Sequence, residues 1–223
     1  MGSSTIARPA PGAPRALRRA VNAALTLESL RDDTVMLHGV VVARGVEALV
    51  ILGDYNAGKT RLALALTEHG FGGLAGDLAL ITAQASVSGG TRAVLSKWPV
   101  DAVGHTLPRS DLGLPNGAVR WQAAQCPGGP YPGCNITRMV QLLPKNAQTI
   151  PPSVDPVDAL RAAVQRARAR AIEDADWHAM QQHRPDIVTT QDRLIRVLAA
   201  RLPMSVIAAD FPSCIVQTLA FVN

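Results

Sequence analysis

Lysine is scarce in this chain. Three of its 22 basic residues are lysines, Lys59, Lys97 and Lys145, and the rest are arginines, so a lysine inside a short motif is improbable as an accident. Aromatic residues are equally few, at three Trp, two Tyr and three Phe. The formal charge of +5 is spread among 17 acids, and a dispersed charge with so few aromatics does not read as a nucleic-acid surface. Cys126, Cys134 and Cys214 are odd in number and lack paired spacing, which supports neither a disulfide framework nor a zinc site. No apolar run approaches the roughly 18 residues that span a bilayer, and no signal-peptide core opens the chain. A cytoplasmic protein with no membrane partner and no nucleic-acid partner is expected.

What is present is enough for one core. At 223 residues and 48% apolar composition the chain suits a single substantial domain, expected over residues 33–223. Residues 1–32 carry Pro9, Pro11 and Pro14 among alanines and arginines and read as a flexible or weakly helical arm. Within it, Ala16 to Leu30 suits a short amphipathic helix on the domain or against a partner.

The pattern changes at Thr34. Val35 to Val42 reads as a strand, 43–47 as a turn and Ala48 to Leu52 as a second strand, a hairpin by alternation and punctuation. A helix is expected from Lys59, with His69 in its last turn and Gly70 as its stop. Leu74 to Ile81 reads as a further strand carrying Asp77, and Gly89-Gly90 as a hairpin tip before Arg92 to Leu95. Residues 99–135 are rich in Pro and Gly, and so long an irregular segment suits an acceptor site or lid. Then come a strand at Ile136 to Leu143, helices near Pro156 to His178 and Gln191 to Arg201, a strand at Ser205 to Ala209, and an apolar end capped by Ser213. Arg161 to Arg170 reads as a solvated helix face.

Between the second strand and the first helix lies Gly53-Asp54-Tyr55-Asn56-Ala57-Gly58-Lys59-Thr60, a complete G-x-x-x-x-G-K-[ST] sequence. Glycines permit the backbone conformations that let successive N–H groups wrap a polyphosphate. Lys59 would reach the β- and γ-phosphates and Thr60 would offer its hydroxyl to Mg²⁺. The following helix points its N-terminal dipole at the same anion. ATP or GTP, with Mg²⁺, is therefore the expected ligand. Asp77 follows Lys59 by 18 residues and is the candidate carboxylate for the metal, directly or through water; a strand-end acid closing a local turn is the alternative.

The run Leu37-His38-Gly39, the phosphate loop, Glu68-His69-Gly70 and Leu74-Ala75-Gly76-Asp77 together resemble the catalytic domain of HPr kinase/phosphorylase and the wider phosphoenolpyruvate-carboxykinase-like kinases. The likeness covers about 45 residues, from Leu37 to Ile81, with a weaker echo at Ile136 to Leu143 and Leu198 to Ile207. It implies an α/β domain with a mixed β-sheet and flanking helices, and the possibility of homo-oligomers. It also implies that Asp77 is the metal-associated second member of an aspartate pair whose first position is here Gly76. The residue that family uses to deprotonate an acceptor is thus missing. His38 is the candidate replacement base; a hydrogen-bonded histidine at a strand end is the other reading. Arg138 aligns with a basic position of small relatives and is a candidate to stabilise transferring phosphoryl charge. Lys97 suits the same role, and surface salt-bridging is the alternative for both. The remaining histidines, His69, His105, His178 and His183, read as structural or exposed.

These residues lead to the expectation of an NTP-dependent kinase that phosphorylates a hydroxyl of a small metabolite such as a cyclitol, sugar or amino acid. A serine/threonine kinase acting on a peptide, and a nucleotide-binding regulator without chemistry, are the alternatives.

Overall fold

The computed structural model describes Thr26 and residues 33–90, 93–96, 109–111, 119–122, 134–143, 154–172, 174–208 and 210–223. The arm expected at 1–32 lies outside the described residues except for Thr26, which is helical and buried. Lys97, His105 and Cys126 lie outside them as well.

The run expected as one strand from Val35 divides at Gly39 into β1 (Thr34–His38) and β2 (Val40–Arg44). The run from Leu74 divides likewise, into β4 (Gly72–Ala75) and β5 (Leu78–Thr82). These pieces pair with one another. β1 lies antiparallel to β5, with His38 opposite Leu78, and β2 lies antiparallel to β4, with Val41 opposite Ala75. One two-stranded ribbon therefore turns a corner from one sheet into another, and the corner is made of His38, Gly39, Gly76 and Asp77. Gly39 fits closely there: a Cβ would stand 3.1 Å from the Ile51 carbonyl oxygen and 3.2 Å from Leu52 Cδ2.

β3 (Glu47–Gly53) completes the expected hairpin with β2. The central sheet has the order β11-β10-β3-β2-β4, in which β10 (Asn135–Leu142) runs parallel to both β3 and β11 (Met204–Ile207). It is a mixed sheet, as expected. β6 (Val87–Gly90) pairs with β5, so Gly89-Gly90 is not a hairpin tip. The turn lies earlier, where the Ala85 N–H donates to the Thr82 carbonyl at 2.9 Å. Gly90 is needed because a Cβ would stand 2.5 Å from the Leu78 carbonyl oxygen. β7 (Ala93–Ser96), β8 (Arg109–Asp111) and β9 (Val119–Gln122) form a third, antiparallel sheet. The segment read as irregular thus contains two strands.

Helices cover both faces of the central sheet. On one side α1 (Lys59–Thr67) and α5 (Phe211–Val222) set Leu62, Leu66 and Cys214 against Val40, Val42, Leu49, Ile51, Val140 and Leu142. On the other, α2 (Pro156–Ala171) and α4 (Ile187–Arg201) set Leu160, Val164, Leu194 and Leu198 against Val41, Val50, Leu52, Met139 and, from the first sheet, Val35, Leu37 and Ile81. Because β2 and β3 are covered on both faces, their sequences are nearly continuous in apolar residues rather than alternating. Each leucine so buried is worth about 2–5 kcal/mol against alanine.

The helix expected to run to His178 breaks at Ile172, and α3 (Asp174–His183) packs Trp177 and Met180 against Ile172 and Ile187. α5 is capped by Asp210, which accepts from the Ser213 N–H at 3.0 Å, rather than by Ser213 itself. Asp192 on α4 accepts from Arg161 of α2 at 2.8 Å and from Arg196 at 2.7 Å, and these guanidinium groups hold its carboxyl below the usual carboxylate range. Among the described residues no helix is long and apolar enough to cross a membrane.

Candidate functional site

The phosphate-loop sequence sits where β3 ends and α1 begins. Gly53 has φ 147°, and a Cβ there would come within 2.8 Å of the Leu142 carbonyl oxygen and 3.1 Å of Ala57 Cβ. Its glycine identity is therefore fixed by both conformation and room. Asn56 and Gly58 follow with φ 64° and 92°, and the Ala57 N–H donates to the Asp54 carbonyl at 3.2 Å. Between these left-handed residues the chain coils into a compact crown before α1 starts.

Lys59 is 7% exposed. Its Nζ donates to the carbonyl oxygens of Gly53 and Asp54, both at 2.9 Å, so the ammonium lies inside the loop instead of in solvent. A buried cation needs such partners. Thr60, half-buried, follows in the first turn of the helix. Gly58 offers α1 no side-chain cap. By contrast α2 and α5 are capped by aspartates, Asp155 accepting from the Val157 N–H at 2.8 Å and Asp210 as above. A carboxylate at the start of α1 would compete for the N–H groups that a phosphate needs.

The corner of the bent ribbon meets this loop. His38, 2% exposed, places Nδ1 2.9 Å from the backbone carbonyl oxygen of Asp77 and 3.7 Å from its Oδ1. A carbonyl only accepts, so Nδ1 carries the proton, and in the neutral ring the basic electron pair belongs to Nε2. The same Asp77 carbonyl accepts from the Gly39 N–H at 3.2 Å. Asp77 itself has φ 68°, a conformation a non-glycine residue adopts rarely, and it leaves its carboxylate half-exposed. Tyr55 spans the two parts: its ring centroid lies 5.0 Å from that of His38, the planes tilted by 41°. Loop and corner are thus one constellation of Gly53, Asp54, Tyr55, Lys59, His38 and Asp77.

Arg138 is not brought there. An irregularity in β10 between Ile136 and Arg138 interrupts the alternation of sides, and Arg138 stands opposite Leu49, while Leu142 stands opposite Gly53. Four residues along a strand separate it from the loop by about 13 Å. Its guanidinium lies over the ring of Phe221, 5.2 Å from the centroid.

A different arginine reaches the loop. In the run read as a solvated helix face, Arg161 pairs with Asp158 and Asp192. Arg168 pairs with Asp174 and lies over Trp177. Arg166 departs from that pattern: its Nη2 stands 2.5 Å from Asp54 Oδ1 in the phosphate loop, with the side chain 20% exposed. Its Nε is buried and makes no hydrogen bond among the described residues. The available signal was spacing, since Arg166 falls three residues after buried Ala163 and seven after buried Ala159, on the margin of the core-facing stripe. Gln141 was also unremarked. It is buried at the loop end of β10, its Nε2 donating to the Leu142 carbonyl at 3.3 Å.

Among the described residues no three His, Cys, Asp or Glu side chains cluster as a metal cage. Compared with known proteins, the chain matches no family model and no curated protein.

Proposed function

We propose that this chain is a nucleoside-triphosphate-dependent kinase of the HPr kinase/phosphoenolpyruvate-carboxykinase-like type that transfers the γ-phosphoryl group to a hydroxyl of a small metabolite. The observation that carries the reading is the coiled phosphate loop with Lys59 folded into it, standing beside the His38–Asp77 corner. The antiparallel hairpin that feeds the loop supports the family assignment, because the strand before the loop is then neighboured by the strand that carries the corner.

The roles follow from chemistry. The loop amides and the N-terminus of α1 bind the polyphosphate, and Lys59 neutralises charge on its terminal groups. Thr60 and Asp77 supply hard oxygen donors of the kind Mg²⁺ prefers, with the nucleotide's own phosphates and water completing its shell. When bound, that ion would neutralise the charge that develops on the phosphoryl oxygens. His38 takes the acceptor's hydroxyl proton at Nε2, a nitrogen buried in this structure that acceptor binding must uncover, as the oxygen bonds to the γ-phosphorus. The bond to the β–γ bridging oxygen breaks, leaving a phosphoester and a nucleoside diphosphate. A neutral imidazole can take a proton near pH 7, and so a histidine serves where Gly76 stands in place of an acid.

The test is label transfer from γ-labelled ATP and GTP to a panel of cyclitols, sugars, amino acids and serine- or threonine-containing peptides. Transfer to a small hydroxyl acceptor is expected, and His38→Ala should keep nucleotide affinity within about threefold while slowing transfer by about 10²–10⁴-fold. Full activity in that variant rules out the base assignment. Gly76 favours a second reading, a nucleotide-binding regulator, which binding without transfer to any acceptor would establish.

A further inference from the structure

Arg166 is the feature that the proposed chemistry leaves unused. It is carried by a helix fixed to the core through Leu160, Ala163, Val164 and Ala167, so its Cα is placed as rigidly as the sheet. Its guanidinium reaches the second residue of the phosphate loop, Asp54, at 2.5 Å. That carboxylate is itself largely exposed, while the arginine is mostly covered and keeps a buried Nε without a hydrogen bond among the described residues. The Arg168–Asp174 pair on the same helix shows a similar asymmetry of burial, so what sets Arg166 apart is that its anion belongs to the loop and that its Nε is left without a hydrogen bond among the described residues. A guanidinium that matches a carboxylate with two parallel N–H groups matches a phosphoryl group equally well.

We infer that Arg166 is a positioning residue for the terminal phosphoryl group of the bound nucleotide, held in place by Asp54. This inference rests on the kinase reading above and deepens it: α2 supplies the arginine that Arg138 does not. The side chain adds a second fixed positive charge beside Lys59, approaching from the opposite face of the sheet to α1. Asp54 orients the fork, and the phosphoryl oxygens engage the donors that the carboxylate does not use. Because the arginine serves the outermost phosphate, a nucleoside diphosphate should gain little from it.

The distinguishing measurement compares Mg²⁺-dependent binding of a non-hydrolysable triphosphate and of the diphosphate, by calorimetry, in wild type and four variants, Lys59→Ala among them. Wild type should prefer the triphosphate. Arg166→Ala should weaken the triphosphate by about tenfold or more and the diphosphate by less than about threefold. Arg166→Lys should recover part of the preference, since it keeps the charge but not the planar fork. Asp54→Asn should weaken the triphosphate less than Arg166→Ala does. Circular dichroism establishes that each variant is folded, and Arg166→Lys keeps the test alive should the alanine variant fail.

Equal losses for both nucleotides in Arg166→Ala, or an Asp54→Asn variant as impaired as Arg166→Ala, would reduce the pair to a latch between loop and helix and overturn the inference. If wild type binds neither nucleotide and Lys59→Ala changes nothing, the kinase reading itself fails. Binding that depends on Lys59 but not on Arg166 removes only the inference made here.

Discussion

Where β3 and β10 reach their C-terminal ends, Lys59 and Arg166 converge on a coil of left-handed backbone. The cations bond to loop carbonyls and to Asp54. At the opposite end of the same sheet Arg44 lies over the ring of Phe71 at 5.0 Å and donates to Asn223 Oδ1 at 2.7 Å, while Arg138 lies over Phe221. The residue types are alike, and the partners differ because the strands are directed. Parallel β3 and β10 bring their carboxyl ends together, the end of an α/β sheet at which ligands bind. At the amino end an arginine finds hydrocarbon and rings to cover.

The comparison breaks most decisively at Lys59. Under the proposed function, replacing it with alanine removes the ammonium that would meet the β- and γ-phosphates, and two charge-assisted hydrogen bonds of that kind are worth about 1.5–3 kcal/mol each. Triphosphate affinity should therefore fall by at least about 100-fold, as read by calorimetry with Mg²⁺, and the equivalent change at Arg44 should leave it within about twofold. Comparable losses at the two positions would erase the distinction between the ends.

Next in size are the glycines of the loop. Gly53→Ala meets both an unfavourable φ and the Leu142 carbonyl at 2.8 Å, whereas Gly58→Ala meets only its φ of 92° with nothing within 4 Å. Strain alone costs about 1–3 kcal/mol, so urea denaturation should show Gly58→Ala within that range and Gly53→Ala above it. The reverse order would mean that the crown is held more tightly at its helix end than at its strand end.

Much of this arrangement was legible before the fold was known. The strand, turn and helix around residues 53–60 were readable because Gly53 and Gly58 stand between an apolar run and a helical pattern, and β10 and α4 because each is a long periodic run. The corner was not. Val35 to Val42 and Leu74 to Ile81 are apolar on both sides of their breaks, so Gly39 and Gly76-Asp77 read as interruptions within one strand while the backbone passes from one sheet to another. Sequence placed His38 and Asp77 as separate candidates; that they touch is a consequence of the β1–β5 register. Arg166 was hidden differently. A helix with arginines at 161, 166, 168 and 170 has the composition of a solvated face, and only the docking of α2 on β1 and β3 shows which of them arrives at Asp54. Arg138 shares the α1 face of the sheet, but the β3–β10 register sets it opposite Leu49, four residues short of Gly53, at the amino end.

The smallest effect is the most discriminating between the two ends. Arg138→Ala should lower stability by about 0.5–1 kcal/mol, the usual worth of a guanidinium over an exposed or half-buried ring, seen as a modest fall in the urea midpoint. Triphosphate affinity and its margin over diphosphate should stay within about twofold of wild type, because about 13 Å of strand lies between this residue and Gly53. If Arg138→Ala instead reduced the margin as Arg166→Ala is expected to, the arginine would have to leave Phe221 and approach the loop when nucleotide binds. The amino end of the sheet would then have to rearrange, and Phe221→Ala, by releasing the guanidinium, would be expected to raise triphosphate affinity. With Arg138 fixed on its ring, Phe221→Ala changes stability and leaves nucleotide binding alone.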